Sequence, residues 1–310
     1  MDSIFKKLSG RIESNKDLSQ VVAYKIGGNA RYFYTPTDSA DLLELLDIAE
    51  KQSIPLFILG SGTNLLVSDK GFDGLILWMG PKLSDSRNDV QVLSEDDTSV
   101  YVKVPAHFSK AKLLDIAIGN SWGALEFSAG IPGSLGGAVF MNAGTKWGSY
   151  GDVIQDVEFV SLKKGTYSLK CEDIGFKYRG MGEGLLDGKT IVSTVTLKLA
   201  KNTPQSEILK KVDEIYSYRG LRQPLELPNC GSVFKNPANS EKGAGRLIEA
   251  AKLKGTVHGG AEISLKHANF ILNKGNAKAS DVLSLIQKVQ DVVEAQFQVK
   301  LETEVICLGF

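Results

Sequence analysis

The chain of 310 residues predicts an α+β fold, and three observations carry that expectation. Helical periodicity alternates with short apolar strand runs through the first third, a β-rich stretch interrupted by one long glycine loop follows, and amphipathic helices dominate beyond about residue 201. Hydrophobic residues make up 43% and charged residues 23%, the balance of a globular protein of about two domains at roughly 150 residues each.

Taken in order, Leu42, Leu45, Leu46 and Ala49 recur at helical spacing after Thr37-Asp38-Ser39, and Leu56-Phe57-Ile58-Leu59 follows as a buried strand. Leu65-Leu66-Val67 and Leu75-Ile76-Leu77 are further apolar runs, separated by the turn signal Asp69 to Gly74. A strand is expected over Val100–Val104, a helix from about Ser109 to Ile118, and strands near Val157–Leu162 and Ile191–Leu199. Lys201-Asn202-Thr203-Pro204 then marks a boundary. Beyond it come a helix through Ile208, Val212 and Ile215, a short helix near Gly245–Ala251, and a long terminal helix. That last helix carries Val282, Ile286, Val289, Val293 and Phe297 on one stripe, with Ser280 as its expected N-cap.

Thirty-six basic residues balance 36 acidic ones, so no bulk cationic field argues for nucleic acid or anionic lipid, and an anionic ligand needs a local site. Cys171, Cys230 and Cys307 are too few and too scattered for a disulfide framework. His107, His258 and His267 lack metal-ligand spacing, and no metal is expected. The N-terminal stretch has no signal-like apolar core and no segment approaches a membrane span, so the expected location is the cytoplasm.

Glycine, at 32 residues, concentrates in two places where backbone could approach a ligand. Gly60-Ser61-Gly62-Thr63-Asn64 leaves a strand and could be a plain tight turn or an anion nest; it matches neither the P-loop nor GxGxxG. Ser128-Ala129-Gly130-Ile131-Pro132-Gly133-Ser134-Leu135-Gly136-Gly137-Ala138, extended by Asn142-Ala143-Gly144, holds more glycine than a turn needs, and suits close contact with a flat or phosphorylated ligand. The stretch Asn229 to Pro237 gathers Ser232, Lys235 and Asn236, a density that suggests a polar ligand; without a nucleophile elbow, Ser232 is no acyl-transfer serine. Period two places Glu302 and Glu304 on one face of an expected strand over Leu301–Ile306, with nothing in the spacing to choose between them. Arg179 could be a surface cation or an anion clamp.

These segments, in this order, resemble the UDP-N-acetylenolpyruvoylglucosamine reductase family, flavoenzymes that finish UDP-N-acetylmuramate synthesis for peptidoglycan. The likeness runs from about Tyr24 to the C-terminus, through Lys25-Ile26-Gly27-Gly28-Asn29-Ala30, the two glycine clusters, Tyr178-Arg179, Gly231 to Pro237, Lys266-His267-Ala268-Asn269-Phe270 and Leu301 to Val305.

The resemblance implies a vanillyl-alcohol-oxidase-type FAD-binding fold of two subdomains, residues 1–78 and 79–201, with a substrate-binding α+β domain over 202–310. It implies FAD held by Gly60, Ser61, Gly62, Thr63, Asn64, Ile131, Gly133, Ser134, Gly136, Gly137 and Ala138. NADPH is then the reductant and UDP-N-acetylglucosamine enolpyruvate the substrate, contacted by Tyr178, Lys235, Asn236, His267 and Asn269. Position matching gives Arg179 and Glu304 the stabilisation of developing charge and Ser232 the protonation; Glu304 is expected to be protonated, because an ionised carboxylate would repel that charge.

The chain is expected to act as a monomer. Met181 stands where a serine is usual in the family and Asn29 where proline is common, and the short Gly148–Gly151 connection matches the subclass without a capping tyrosine loop. The rival expectations are an oxidase or dehydrogenase of a small alcohol or hydroxy acid on the same fold, and a non-catalytic sensor of UDP-sugar.

Overall fold

The computed structural model describes residues 5–6, 8–37, 40–81, 87–185 and 187–310. Its packing divides the chain into two compact units: one comprises residues up to Ser14, Tyr32–Ser61 and Gly74–Tyr218, the other Asn15–Arg31, Gly62–Asp73 and Arg219–Phe310.

In the first unit a five-stranded sheet runs in the order Gly165–Lys170, Ile154–Ser161, Ile191–Ala200, Ser99–Pro105, Gln91–Glu95, antiparallel throughout. Alternation along its central strands buries both faces. Val157, Phe159, Val195 and Leu197 join the cluster formed with the helices Lys110–Gly119, Leu135–Phe140 and Gln205–Arg222, while Val160 and Ile191 join a second cluster with Leu42, Leu45 and Leu46 of the helix Ala40–Lys51. Leu56–Leu59 pairs in parallel with Phe72–Trp78, in a sheet ordered Arg11–Asp17, Asn29–Thr35, Phe72–Trp78, Leu56–Leu59. The expected turn before Gly74 is therefore narrower, since Phe72, Asp73 and Gly74 are already strand. Ser109 caps the helix Lys110–Gly119 by accepting the Lys112 N–H at 3.4 Å, at the expected position.

In the second unit the helix Ala279–Phe297 buries Val282, Ile286, Val289 and Val293, as its stripe requires. Its cap differs from the expected Ser280. Lys278 is the N-cap, the Ala279 and Ser280 N–H groups donate to the Asp69 carboxylate at 2.7 and 3.1 Å, and Asp281 accepts from Lys278 and Gly260 at 3.0 Å each. The local serine signal lost to a carboxylate from far along the chain, which satisfies two helix-end donors at once.

The expected strand Leu301–Ile306 is not formed; the strand here is Ile306–Leu308, parallel to Leu65–Val67. The cause is local. The Val233 carbonyl accepts both the Glu304 and the Val305 N–H, at 2.7 and 3.3 Å, so two residues oppose one and the ladder shrinks to the single bridge Phe234–Thr303.

Candidate active site

The strand Leu56–Leu59 delivers Gly60 to the first glycine cradle. A Cβ at Gly60 would stand 2.7 Å from the Ser134 Oγ and 3.9 Å from the Gly137 Cα, so the first cluster approaches the second without a side chain between them. Both hydroxyls here, Ser61 Oγ and Ser134 Oγ, are buried with no hydrogen-bond partner. A buried hydroxyl without a partner is costly, and two of them lining glycine loops are donors waiting for acceptors.

The remaining cradle residues divide by role. Gly136 gives its N–H to the Ala106 carbonyl at 2.7 Å, and a Cβ there would meet the Ala106 Cβ at 2.8 Å. That glycine is required by packing, whereas exposed Gly137 has only the Ser134 Oγ near. Gly133 takes φ +122°, which only glycine adopts readily, and Ile131 donates to the Ser128 carbonyl at 3.0 Å, shaping the entry to the helix that buries Ala138. Gly62, Thr63 and Asn64 belong to the second unit. Gly62 sits at φ +63° with a would-be Cβ 2.9 Å from Val22 Cα, Thr63 is half-buried, and the Asn64 amide donates to the Glu304 carbonyl at 2.9 Å.

Tyr178 and Arg179 occupy the tip of a tight turn closed by reciprocal backbone bonds between Lys177 and Gly180, at 2.9 and 3.3 Å. Arg179 is at φ +60°, a left-handed conformation that a long side chain rarely takes, and its guanidinium carbon lies 4.9 Å from the centre of the exposed Tyr178 ring. Met181 turns inward, 2% exposed, into the main apolar cluster of this unit. The departure from the usual serine thus adds a core anchor directly beside the turn.

In the second unit Ser232 follows Gly231, whose φ of +81° and Asn229-bonded N–H (2.9 Å) make the bend before it. Asn269 holds the next residues. Its carbonyl accepts the Val233 N–H at 2.9 Å, its side-chain oxygen accepts the Phe234 N–H at 3.0 Å, and its amide donates to the Phe234 carbonyl at 2.8 Å, all buried. On the other flank Glu304 donates its N–H to the Val233 carbonyl and Lys235 donates to the Glu302 carbonyl at 2.9 Å, so Ser232 and Glu304 belong to one backbone frame.

The structure separates the two glutamates. Glu302 is 77% exposed and pairs with the Lys235 ammonium at 3.4 Å, while Glu304 is half-buried. Asn236 accepts the Ala244 N–H at 3.0 Å with its side-chain oxygen, at the start of the helix Ala244–Ala250. His267 accepts the Asn269 N–H on Nδ1 at 3.2 Å, which leaves the other ring nitrogen to carry the proton of the neutral form, and burial, with Lys254 nearby, pushes its pKa below the usual value. Cys230 is buried and its thiol is pushed up to about 12 by desolvation, which removes it as a nucleophile.

Sequence reasoning left one connection unseen: the Asn142 side chain, which bonds both the Lys177 carbonyl and the Gly151 N–H. Asn142 stood out as the end of a glycine-rich run, but partners nine and 35 positions away leave no local signal.

Residues 30–168 match the FAD binding domain family, and the glycine cradles with their two unpartnered hydroxyls suit that cofactor, so the chain is of the FAD-binding class. Residues 223–308 match the family described as UDP-N-acetylenolpyruvoylglucosamine reductase, C-terminal domain. UDP-N-acetylenolpyruvoylglucosamine reductases of Listeria welshimeri and Gloeobacter violaceus are 37% and 34% identical, over 96% and 97% of this chain and 95% and 98% of theirs. The crystal structure of the Thermus caldophilus UDP-N-acetylenolpyruvylglucosamine reductase superposes with a TM-score of 0.78 at 32% identity, covering 97% of this chain and all of that one. The chain belongs to the UDP-N-acetylenolpyruvoylglucosamine reductase family. Its fold is the expected α+β, vanillyl-alcohol-oxidase-type FAD-binding fold followed by a C-terminal α+β domain.

Proposed function

We propose that this chain is an NADPH-dependent flavoenzyme that reduces the enolpyruvyl double bond of UDP-N-acetylglucosamine enolpyruvate to UDP-N-acetylmuramate, a peptidoglycan precursor. The observation that carries the reading is the joint frame of Ser232 and Glu304, locked by the 2.7 Å bond from the Glu304 N–H to the Val233 carbonyl. An alcohol oxidase needs a base, and a sensor needs no proton donor at all; a serine set on a glycine bend, in one backbone frame with a half-buried glutamate, suits proton delivery to carbon.

FAD would be held by Gly60, Ser61, Gly62, Thr63 and Asn64 and by the Ile131–Ala138 loop, with Gly136 supporting the loop through Ala106. When bound, it supplies hydride to the methylene carbon of the substrate after reduction by NADPH. Addition there leaves negative charge on the neighbouring carbon and its carboxylate. The Arg179 guanidinium pairs with that carboxylate in a fork geometry. The Ser232 hydroxyl, pre-aligned by Gly231 and the Asn269 clamp, delivers the proton to carbon. A protonated Glu304 donates a hydrogen bond to the developing charge. Tyr178 and Lys235 meet the UDP-sugar, and Asn236, His267 and Asn269 serve the same site through the backbone they fix.

By this reading residues 1–78 and 79–201 carry FAD and 202–310 the UDP-sugar, in a cytoplasmic monomer. Among the described residues no helix is long and apolar enough to cross a membrane. The test is an anaerobic titration of the purified flavoprotein: NADPH bleaches the flavin absorbance and UDP-N-acetylglucosamine enolpyruvate restores it. Bleaching without substrate-driven recovery would favour the oxidoreductase rival, and retained UDP-sugar binding with no NADPH consumption the sensor.

A further inference from the structure

The turn that presents Arg179 is reached by a side chain from 35 positions earlier in the chain. Asn142 donates its amide to the Lys177 carbonyl at 3.0 Å and accepts the Gly151 N–H at 2.9 Å. Lys177 is the residue whose backbone closes the Tyr178-Arg179 turn on Gly180. Asn142 itself sits at φ +40° and Arg179 at φ +60°, two left-handed non-glycine residues, and the Asn142 amide bonds the carbonyl two residues before Arg179. Such conformations persist only where their surroundings over-determine them. The surroundings here are close: a Cβ on Gly151 would come within 3.2 Å of the Asn142 Oδ1 and 3.3 Å of the Phe176 ring, so a side chain there would press on the amide that reaches Lys177.

We propose that Asn142 is a positioning residue for the reaction: it fixes the strained Arg179 turn, and through it the guanidinium that receives the substrate's carboxylate. The inference rests on the role given to Arg179 under the proposed function. Asn142 touches neither substrate nor cofactor in this account; it removes from the turn the freedom to swing Arg179 out of register, and misplacement of such a group by about 1 Å is enough to cost about a hundredfold in rate.

The experiment is a double-mutant cycle on the flavoprotein, read by stopped-flow in both half-reactions. Asn142→Asp keeps an oxygen for the Gly151 N–H but replaces the donor to Lys177 with a second acceptor. It is expected to slow reoxidation by UDP-N-acetylglucosamine enolpyruvate by about tenfold to a hundredfold. Bleaching by NADPH, flavin content and melting temperature should stay near those of the parent. In an Arg179→Ala background the same substitution should add nothing, because two groups acting through one another do not add. Equal slowing in both backgrounds, or no slowing while Arg179→Ala is slow, would overturn the inference. Normal reoxidation by Arg179→Ala would instead overturn the role of Arg179, and the inference with it. If Asn142→Asp does not fold, Gly151→Ala, which crowds the same amide, is held to the same pattern.

Discussion

Ser61 and Ser134 place hydroxyls in buried surroundings with no hydrogen-bond partner in the protein, a cost that a bound FAD would relieve. Ser134→Ala should leave the apoprotein melting temperature unchanged or raised, while weakening FAD binding by roughly 2- to 13-fold, the equivalent of one net hydrogen bond of about 0.5–1.5 kcal/mol. Flavin titration followed by fluorescence quenching checks both halves of that statement; unchanged affinity would remove Ser134 from the cofactor site. The glutamates offer a second residue-scale contrast. Glu302→Gln, at an exposed ion pair with Lys235, is expected to change turnover by less than about twofold. Glu304→Ala should lower it by about a hundredfold, because the donor to the developing charge is lost, whereas Glu304→Gln, which still donates, should lower it far less. Steady-state kinetics of the pair decides the position. Here spacing alone was silent, period two making the glutamates equivalent, and the choice of Glu304 came from the family resemblance; in the fold the doubled hydrogen bond at Val233 breaks the ladder between them.

At the scale of elements, the glycines of the cradles separate into those that admit a ligand and those that admit a neighbour. Gly136→Ala would press a methyl against Ala106 and should destabilise the fold by about 1–3 kcal/mol, read as a lowered melting temperature with or without flavin. Gly60→Ala, facing only the Ser134 hydroxyl and Gly137, should act mainly on flavin affinity. The reverse ranking would mean that Gly60 packs and Gly136 binds. The glycine clusters were legible in the sequence, as were the helices Ala40–Lys51 and Lys110–Gly119 and the strands Ile154–Ser161 and Ile191–Ala200, because burial on a face imposes periodicity. The division of labour among the glycines was not, since Ala106 and Ser134 become neighbours only in the fold. The cap on Ala279–Phe297 failed for the same reason, Asp69 being 210 positions away.

At the scale of the whole molecule, the hydrogen-bonded carboxylates and His267 push stability in the same direction on acidification. Burial alone would raise the Asp41 carboxyl, but hydrogen bonds from Tyr34, Ser9 and Gly10 hold it below its ordinary 3.8, and the Lys278 and Gly260 N–H groups do the same for Asp281. Such carboxylates stabilise the native state above that value and lose the contribution as pH falls through their native pKa. His267, kept below its ordinary 6.5 chiefly by burial, resists protonation in the native state, so the unfolded chain takes the proton first and stability also falls as pH drops below 6.5. The melting temperature should therefore decline gently below about pH 6.5 and steeply below about pH 4, with His267→Gln removing the gentle part. A profile that rises on acidification would contradict the assignment.

The account stands on Ser232 giving a proton to carbon, and rapid mixing of Ser232→Ala tests it most directly. Bleaching of the flavin by NADPH should proceed at the parent rate, and recovery on adding UDP-N-acetylglucosamine enolpyruvate should slow by about 10²–10⁴-fold, the usual weight of a positioned proton donor. Recovery at the parent rate would contradict the account.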